Sequence, residues 1–233
     1  MTRLNDPAVV AAEYADDRGL AARQSIWRNA TGGEVHDLIV GAVAGAERVL
    51  EVGCGRGELA ERLVRELGVA LEAVDQSPSM VELTSARGID ARIGDVQDLP
   101  FADGCFDVAV AAWMLYHVSD LERALSELAR VLRTTGRLVA VTNSRENLRE
   151  LWRLVGYTSE YSFSAENGEE MLHRHFSRVE CIPVRGTVTF PDRGEAVRYV
   201  ASSILAKHLA ETLPTEGWPL VATRSMTVFV AEP

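Results

Sequence analysis

The sequence predicts an α/β domain built on a doubly wound, mostly parallel sheet, and three observations carry that prediction. Short β-forming runs alternate with amphipathic helical stretches from residue 45 onward. The first such run ends in a glycine cluster, VLEVGCGRGELA, Val49–Ala60. Acids then follow the ends of successive strands, at Glu51, Asp75 and Asp95. Strands separated by single helices demand parallel crossovers, which place helices on both faces of the sheet.

Taken in order, residues from Pro7 to Ala44 read as helices, with Trp27 and the aliphatic positions of EVHDLIVGAV supplying apolar faces. We take residues 1–44 as an N-terminal helical cap and 45–233 as the main domain. RVLEV is the first strand, and ELAERLVRELG is an amphipathic helix stopped by Gly68. ALEAVD is the second strand. SPSMVELTSARG follows as a helix with Ser77 as N-cap and Pro78 in its first turn. DARIGD, FDVAVAAW and GRLVAVTNS are the next strands, with DLERALSELARVLRTTG as the helix between the last two. Beyond Asn143 the rhythm changes. NLRELWRLVG and NGEEMLHRHF read as helical, RVECIPVRGTVTF as one long or bent strand, EAVRYVASSILAKHLA as a helix and TRSMTVFVAE as a closing strand. The late strand pair is placed on one edge of the same sheet, and residues 145–176 are read as an acceptor-site insertion.

Bulk properties exclude several classes. With 24 basic and 34 acidic residues in 233, the net charge is −10, and no dense Lys/Arg block offsets it. Such a surface repels phosphate backbones, so nucleic acid is disfavoured as a partner. Cys54, Cys105 and Cys181 stand far apart without CxxC spacing, which fits reduced thiols better than a disulfide or zinc site. No apolar run reaches membrane-spanning length and MTRLNDPAVVAAEYADD lacks a signal-peptide core, so a cytoplasmic location without membrane association is expected.

The glycine loop alone is ambiguous among nucleotide-like ligands. In Gly53-Cys54-Gly55-Arg56-Gly57, the third glycine of a dinucleotide GxGxxG would fall at residue 58, which is Glu58. Glu51, at the mouth of the loop, would repel a pyrophosphate. It suits S-adenosylmethionine, which carries a sulfonium and an ammonium. Asp75, ending the second strand, is placed to accept from ribose hydroxyls, although an acid opening a helix could stand there for its own sake. Asp95 follows the third strand. Ligands in open α/β sheets bind outside the carboxyl ends of the strands, so the three acids converge on one edge.

These stretches, together with GDVQDLPFADGCFDVAVAAWMLYHVSDLERALSELARVLRTTGRLVAVTNS, resemble the class I S-adenosylmethionine-dependent methyltransferases, closest to the type 11 and small-molecule group. The resemblance spans Val49–Ser144 and implies a Rossmann-like methyltransferase fold, with a seven-stranded sheet whose last strand is antiparallel. By position it implies that Glu51, Gly53, Cys54 and Gly55 line the methionine end of the cofactor. Asp75 would hold the ribose, with Gln76 and Met80 beside the adenosine. Asp95 would accept from the adenine amino group, with Val96 against the base and Ala111 facing the methionyl moiety. The implied product is S-adenosyl-L-homocysteine.

In WMLYHVSD, His117 is the candidate general base, with packing beside the cofactor as the alternative. Tyr14 is placed to close over the methionine end and Arg23 to pair with the cofactor carboxylate; ordinary amphipathic-helix positions are the competing account of both. His173 and His175 are two positions apart and do not share a helix face, so no metal is expected. The expected partner is a small organic acceptor, the expected assembly a monomer or homodimer. The alternatives are a methyltransferase acting on tRNA or protein, a non-catalytic S-adenosylmethionine-binding protein, and an NAD-dependent oxidoreductase.

Overall fold

The computed structural model describes residues 4–158 and 160–233, so the first three residues of the expected cap and Ser159 of the expected insertion lie outside the described residues. Seven strands form one sheet in the order β3-β2-β1-β4-β5-β7-β6. They are β1 (Arg48–Val52), β2 (Ala70–Asp75), β3 (Asp90–Ile93), β4 (Phe106–Ala112), β5 (Leu132–Asn143), β6 (Arg178–Phe190) and β7 (Leu220–Glu232). The first five pair in parallel, while β7 runs antiparallel to both β5 and β6. Strand order reverses at β1 and β4, and the crevice outside their carboxyl ends is where such sheets take ligands.

The helices are α1 (Pro7–Glu13), α2 (Arg18–Ser25), α3 (Val35–Val43), α4 (Glu58–Leu67), α5 (Pro78–Ser85), α6 (Leu121–Val131), α7 (Arg149–Leu154), α8 (Gly168–Leu172) and α9 (Arg193–Ala201). Local chemistry fixes their ends. Ser77 caps α5 through its hydroxyl on the Met80 amide, with Pro78 behind it. Asp120 caps α6 by accepting from the Arg123 amide. Gly68 closes α4 with φ +67°.

Strand alternation builds a core on each face of the sheet. Leu138 and Ala140 of β5 enter one, with Leu121, Leu125 and Leu128 of α6. Val139 and Val141 enter the other, with Ile39 of α3 and Leu63 of α4. A strand buried on both faces reads as an unbroken apolar run, as VAVAA in β4 does. Each fully buried aliphatic side chain contributes about 1.5–3 kcal/mol. A third cluster joins Ile26 to Leu151 of α7, Val200 of α9 and Phe190 of β6, which ties the N-terminal helices to the late part of the chain.

Several helices are shorter than their sequence pattern predicts, and two of them bear on the site. The stretch read as helical to Gly136 leaves the helix after Val131 and becomes β5, where Leu132 pairs with Phe106 and the Arg133 guanidinium binds the Asp107 carboxylate. The long helix expected over 195–210 breaks after Ala201. There the Ser202 hydroxyl turns back onto the Tyr199 carbonyl, and a 3-10 turn follows at Lys207–Thr212. That break frees backbone groups at 202 and 204, which α1 and α2 use.

Candidate functional site

The glycine loop leaves β1 with Gly53 at φ +67° and ends with Gly57 at φ +74°, both in the left-handed region that glycine enters without cost. Space matters as much as conformation. A Cβ on Gly53 would lie 2.7 Å from Met114 Cβ, and one on Gly57 would lie 2.7 Å from Thr84 Oγ1. The loop is therefore folded tightly onto the chain that follows β4 and onto α5.

One amide of the loop and one from the start of α5 are turned toward the protein's own acid. The Gly55 amide donates to Asp75 Oδ2 at 2.9 Å, and the Ser77 amide donates to Asp75 Oδ1 at 2.9 Å. Burial raises the Asp75 carboxyl above its ordinary range, and these amides oppose the rise. Glu51 is 3 % exposed, and its Oε2 is buried with no hydrogen-bond partner. Burial, reinforced by the charge of Asp75, pushes its carboxyl up to about 8. A buried carboxyl oxygen left unpaired costs free energy unless a donor or cation meets it. Two acids facing one loop make a poor seat for a pyrophosphate and a good one for a cationic ligand. These two carboxyl groups fit the sulfonium cofactor.

Further along the strand ends, Asp95 accepts from the Gln97 amide at 2.9 Å, and Val96 is buried beside it. Met80 and Ala111 are fully buried, whereas Gln76 is exposed. Cys54 is buried with its Sγ 3.5 Å from Thr84 Oγ1, and burial pushes the thiol up to about 12, so it is no thiolate at neutral pH.

The N-terminal helices close over this edge. Ser77 Oγ donates to the Tyr14 carbonyl at 2.7 Å, Arg56 pairs with Asp17 at 3.5 Å, and Leu20 Cδ2 lies 3.2 Å from the Cβ position of Gly55. The Tyr14 hydroxyl is 2.8 Å from His117 Nε2, and His117 Nδ1 is 3.0 Å from the Leu4 carbonyl. A carbonyl only accepts, so Nδ1 carries the proton. Burial depresses His117 to about 4, which keeps the ring neutral. Nε2 therefore accepts from the Tyr14 hydroxyl, and both ring nitrogens are engaged. Arg23 donates through Nη1 to Glu13 and to the Ser202 carbonyl, while its Nη2 is buried without a partner. Glu13 takes the Ile204 amide on its second oxygen at 2.7 Å.

Next to Tyr14 and His117 lies a cavity of about 90 Å³ that opens partly to solvent. Its walls include Tyr116, Tyr157, Tyr161, Tyr199, Trp152 and Arg23. Sequence reasoning singled out Tyr14, Arg23 and His117 but missed the other aromatic walls, which come from separate elements and share no spacing. The histidines of MLHRHF lie elsewhere: His175 Nε2 is 2.9 Å from Glu122 Oε2, and His173 follows α8. No helix among the described residues is long and apolar enough to cross a membrane.

Residues 50–140 match the family described as "Methyltransferase domain". A demethylmenaquinone methyltransferase of Thermobifida fusca is 31% identical over 216 residues, covering 88% of this chain and 80% of the relative. A malonyl-acyl-carrier-protein O-methyltransferase of Chlorobium luteolum is 26% identical over 211 residues, covering 86% and 80%. The solved structure of a Thermotoga maritima S-adenosylmethionine-dependent methyltransferase superposes with a TM-score of 0.58 over 95% of each chain, at 20% identity, and so shares the fold. Sheet order, the acid-rimmed glycine loop and these relationships agree: the chain belongs to the class I S-adenosylmethionine-dependent methyltransferases.

Proposed function

We propose that the chain methylates an oxygen, nitrogen or carbon atom of a small organic acceptor, with the cofactor held along the acidic strand ends. The observation that carries this is the unpaired, buried Glu51 oxygen beside Asp75, beneath a loop whose Gly55 amide is committed to a carboxylate. Bound S-adenosylmethionine supplies an electrophilic methyl group on a sulfonium. Glu51 and the loop from Gly53 through Cys54 to Gly55 form the bed at its methionine end, and Asp75 takes the ribose hydroxyls. Gln76 and Met80 flank the adenosine, Asp95 and Val96 receive the adenine, and Ala111 backs the methionyl chain.

Displacement at a sulfonium needs alignment and exclusion of water more than strong bases. The cap provides both: Tyr14 is fastened to Ser77 on the cofactor side and to His117 on the other. His117 reaches an acceptor proton only by way of the Tyr14 oxygen, so the pair acts together, with His117 holding Tyr14 in place. The relatives' names concern demethylmenaquinone, a small organic acceptor of the kind proposed here, and malonyl-acyl-carrier protein, an acceptor borne on a protein that the test below separates from it.

The test is incubation with methyl-labelled cofactor and fractionated cell extract. Label in the low-mass fraction supports the reading. Label confined to protein or RNA, or S-adenosylhomocysteine binding without any transfer, contradicts it.

A further inference from the structure

The chain contains five tyrosines, and all five line the one cavity beside the cap: Tyr14, Tyr116, Tyr157, Tyr161 and Tyr199. Ordinary packing scatters tyrosines wherever a ring can be buried and a hydroxyl satisfied. Their rings stand in defined pairs. Tyr116 meets Tyr161 edge to face at 5.2 Å, and Trp152 lies 5.1 Å from Tyr157 and 5.9 Å from Tyr199.

An aromatic cage by itself favours an ammonium ion. Here that place is taken, because the Arg23 guanidinium sits 5.6 Å from the Tyr14 ring centroid. The cavity's remaining polar groups narrow the ligand further. Both Glu13 oxygens are occupied, by Arg23 and by the Ile204 amide, and both His117 nitrogens are engaged. Burial holds the phenols of Tyr14, Tyr116 and Tyr199 above their ordinary range, so they remain neutral. Among the described residues that line the cavity, the buried side-chain nitrogen or oxygen atom without a hydrogen-bond partner is Arg23 Nη2, a donor on a permanently charged group.

We propose that the methyl acceptor is a planar aromatic molecule bearing an oxyanion, its ring among the tyrosines and its charged oxygen on Arg23 Nη2. The word acceptor rests on the function proposed above; the pocket chemistry does not. This assigns Arg23 to the acceptor rather than to the cofactor carboxylate.

The test is calorimetric titration of the protein saturated with S-adenosylhomocysteine. Benzoate and para-nitrophenolate are the probes, distinguishing a carboxylate from a phenolate. Cyclohexanecarboxylate and benzylamine are the non-aromatic and cationic controls. At least one aromatic anion is expected to bind about tenfold or more tightly than either control. Arg23→Met should weaken that probe about tenfold or more and leave S-adenosylhomocysteine affinity unchanged. Because Arg23→Met strands Glu13, the pair Glu13→Gln with Arg23→Met is run beside it, and retained S-adenosylhomocysteine binding reports folding. The proposal is overturned if neither aromatic anion binds, if cyclohexanecarboxylate or benzylamine binds as well, or if Arg23→Met weakens S-adenosylhomocysteine instead. Should S-adenosylhomocysteine give no heat with wild type, the cofactor reading fails, and the same panel run on the protein alone still judges the pocket.

Discussion

The proposed cofactor bed and the tyrosine cavity lie side by side but are assembled in opposite ways. In the bed, each acid sits at or just past a strand end: Glu51 in β1, Asp75 ending β2, Asp95 two residues beyond β3. Backbone amides of neighbouring turns hold Asp75 and Asp95 in place. In the cavity, the walls come from residues 14, 116, 157, 161 and 199, brought together only when the cap, α7 and α9 pack into one cluster. The bed is a local structure repeated at three strand ends. The cavity is a long-range one, so its composition can change without disturbing the cofactor.

The largest effect expected from that division is at Asp75. Asp75→Ala removes the acceptor for the Gly55 and Ser77 amides along with the proposed ribose contact, and S-adenosylhomocysteine binding should weaken about a hundredfold or more. Aromatic anion binding in the cavity should stay within about twofold on the same argument of separate construction. Loss of both would break the comparison.

Glu51 gives the next largest effect, as a pH dependence. Its carboxyl rises from 4.5 to about 8 in the folded protein. The folded chain keeps a proton there that the unfolded chain has released. The stability from this group is fully present below pH 4.5 and is lost as pH rises toward about 8. A cationic ligand wants the carboxylate ionised, so S-adenosylmethionine affinity should climb up to about tenfold per pH unit below 8 and then level. Calorimetry in buffers of different ionisation heat should show proton release near pH 7, and Glu51→Gln should flatten the profile.

At the junction of the two regions, Tyr14→Phe leaves His117 Nε2 without its donor. Turnover should fall about tenfold while cofactor affinity holds within about twofold. His117 sits near 4, below its ordinary 6.5, so its neutral form contributes stability above about 6.5 that is lost as pH falls toward 4. The pH–rate profile should therefore carry no inflection near 6.5 from this group. An inflection there that disappears in His117→Asn would show a free histidine base instead.

The smallest effect is expected at Cys54, a filler in the bed. Cys54→Ala should cost about 1 kcal/mol of stability, read by denaturant unfolding, with turnover unchanged.

The same division explains what the sequence made legible. β1 to β4, the Ser77 cap and the Gly68 stop follow from residues next to one another, where propensity and capping chemistry act. The end of α6 did not follow, because Leu132 and Arg133 are claimed by Phe106 and Asp107 from another strand. Nor did the break after Ala201, where Ser202 and Ile204 serve the Arg23–Glu13 pair from the other end of the chain. For Arg23, charge alone suggested a carboxylate partner. Which one depends on packing among α1, α2 and α9 that no spacing encodes.

The most direct test of the central claim, that the acid-rimmed loop is the S-adenosylmethionine seat, is calorimetric titration of wild type and Asp75→Ala with S-adenosylhomocysteine and with NADH. We predict micromolar binding of S-adenosylhomocysteine to wild type, its loss in Asp75→Ala, and no heat with NADH. Equal S-adenosylhomocysteine binding by both proteins, or binding of NADH in its place, would contradict the account.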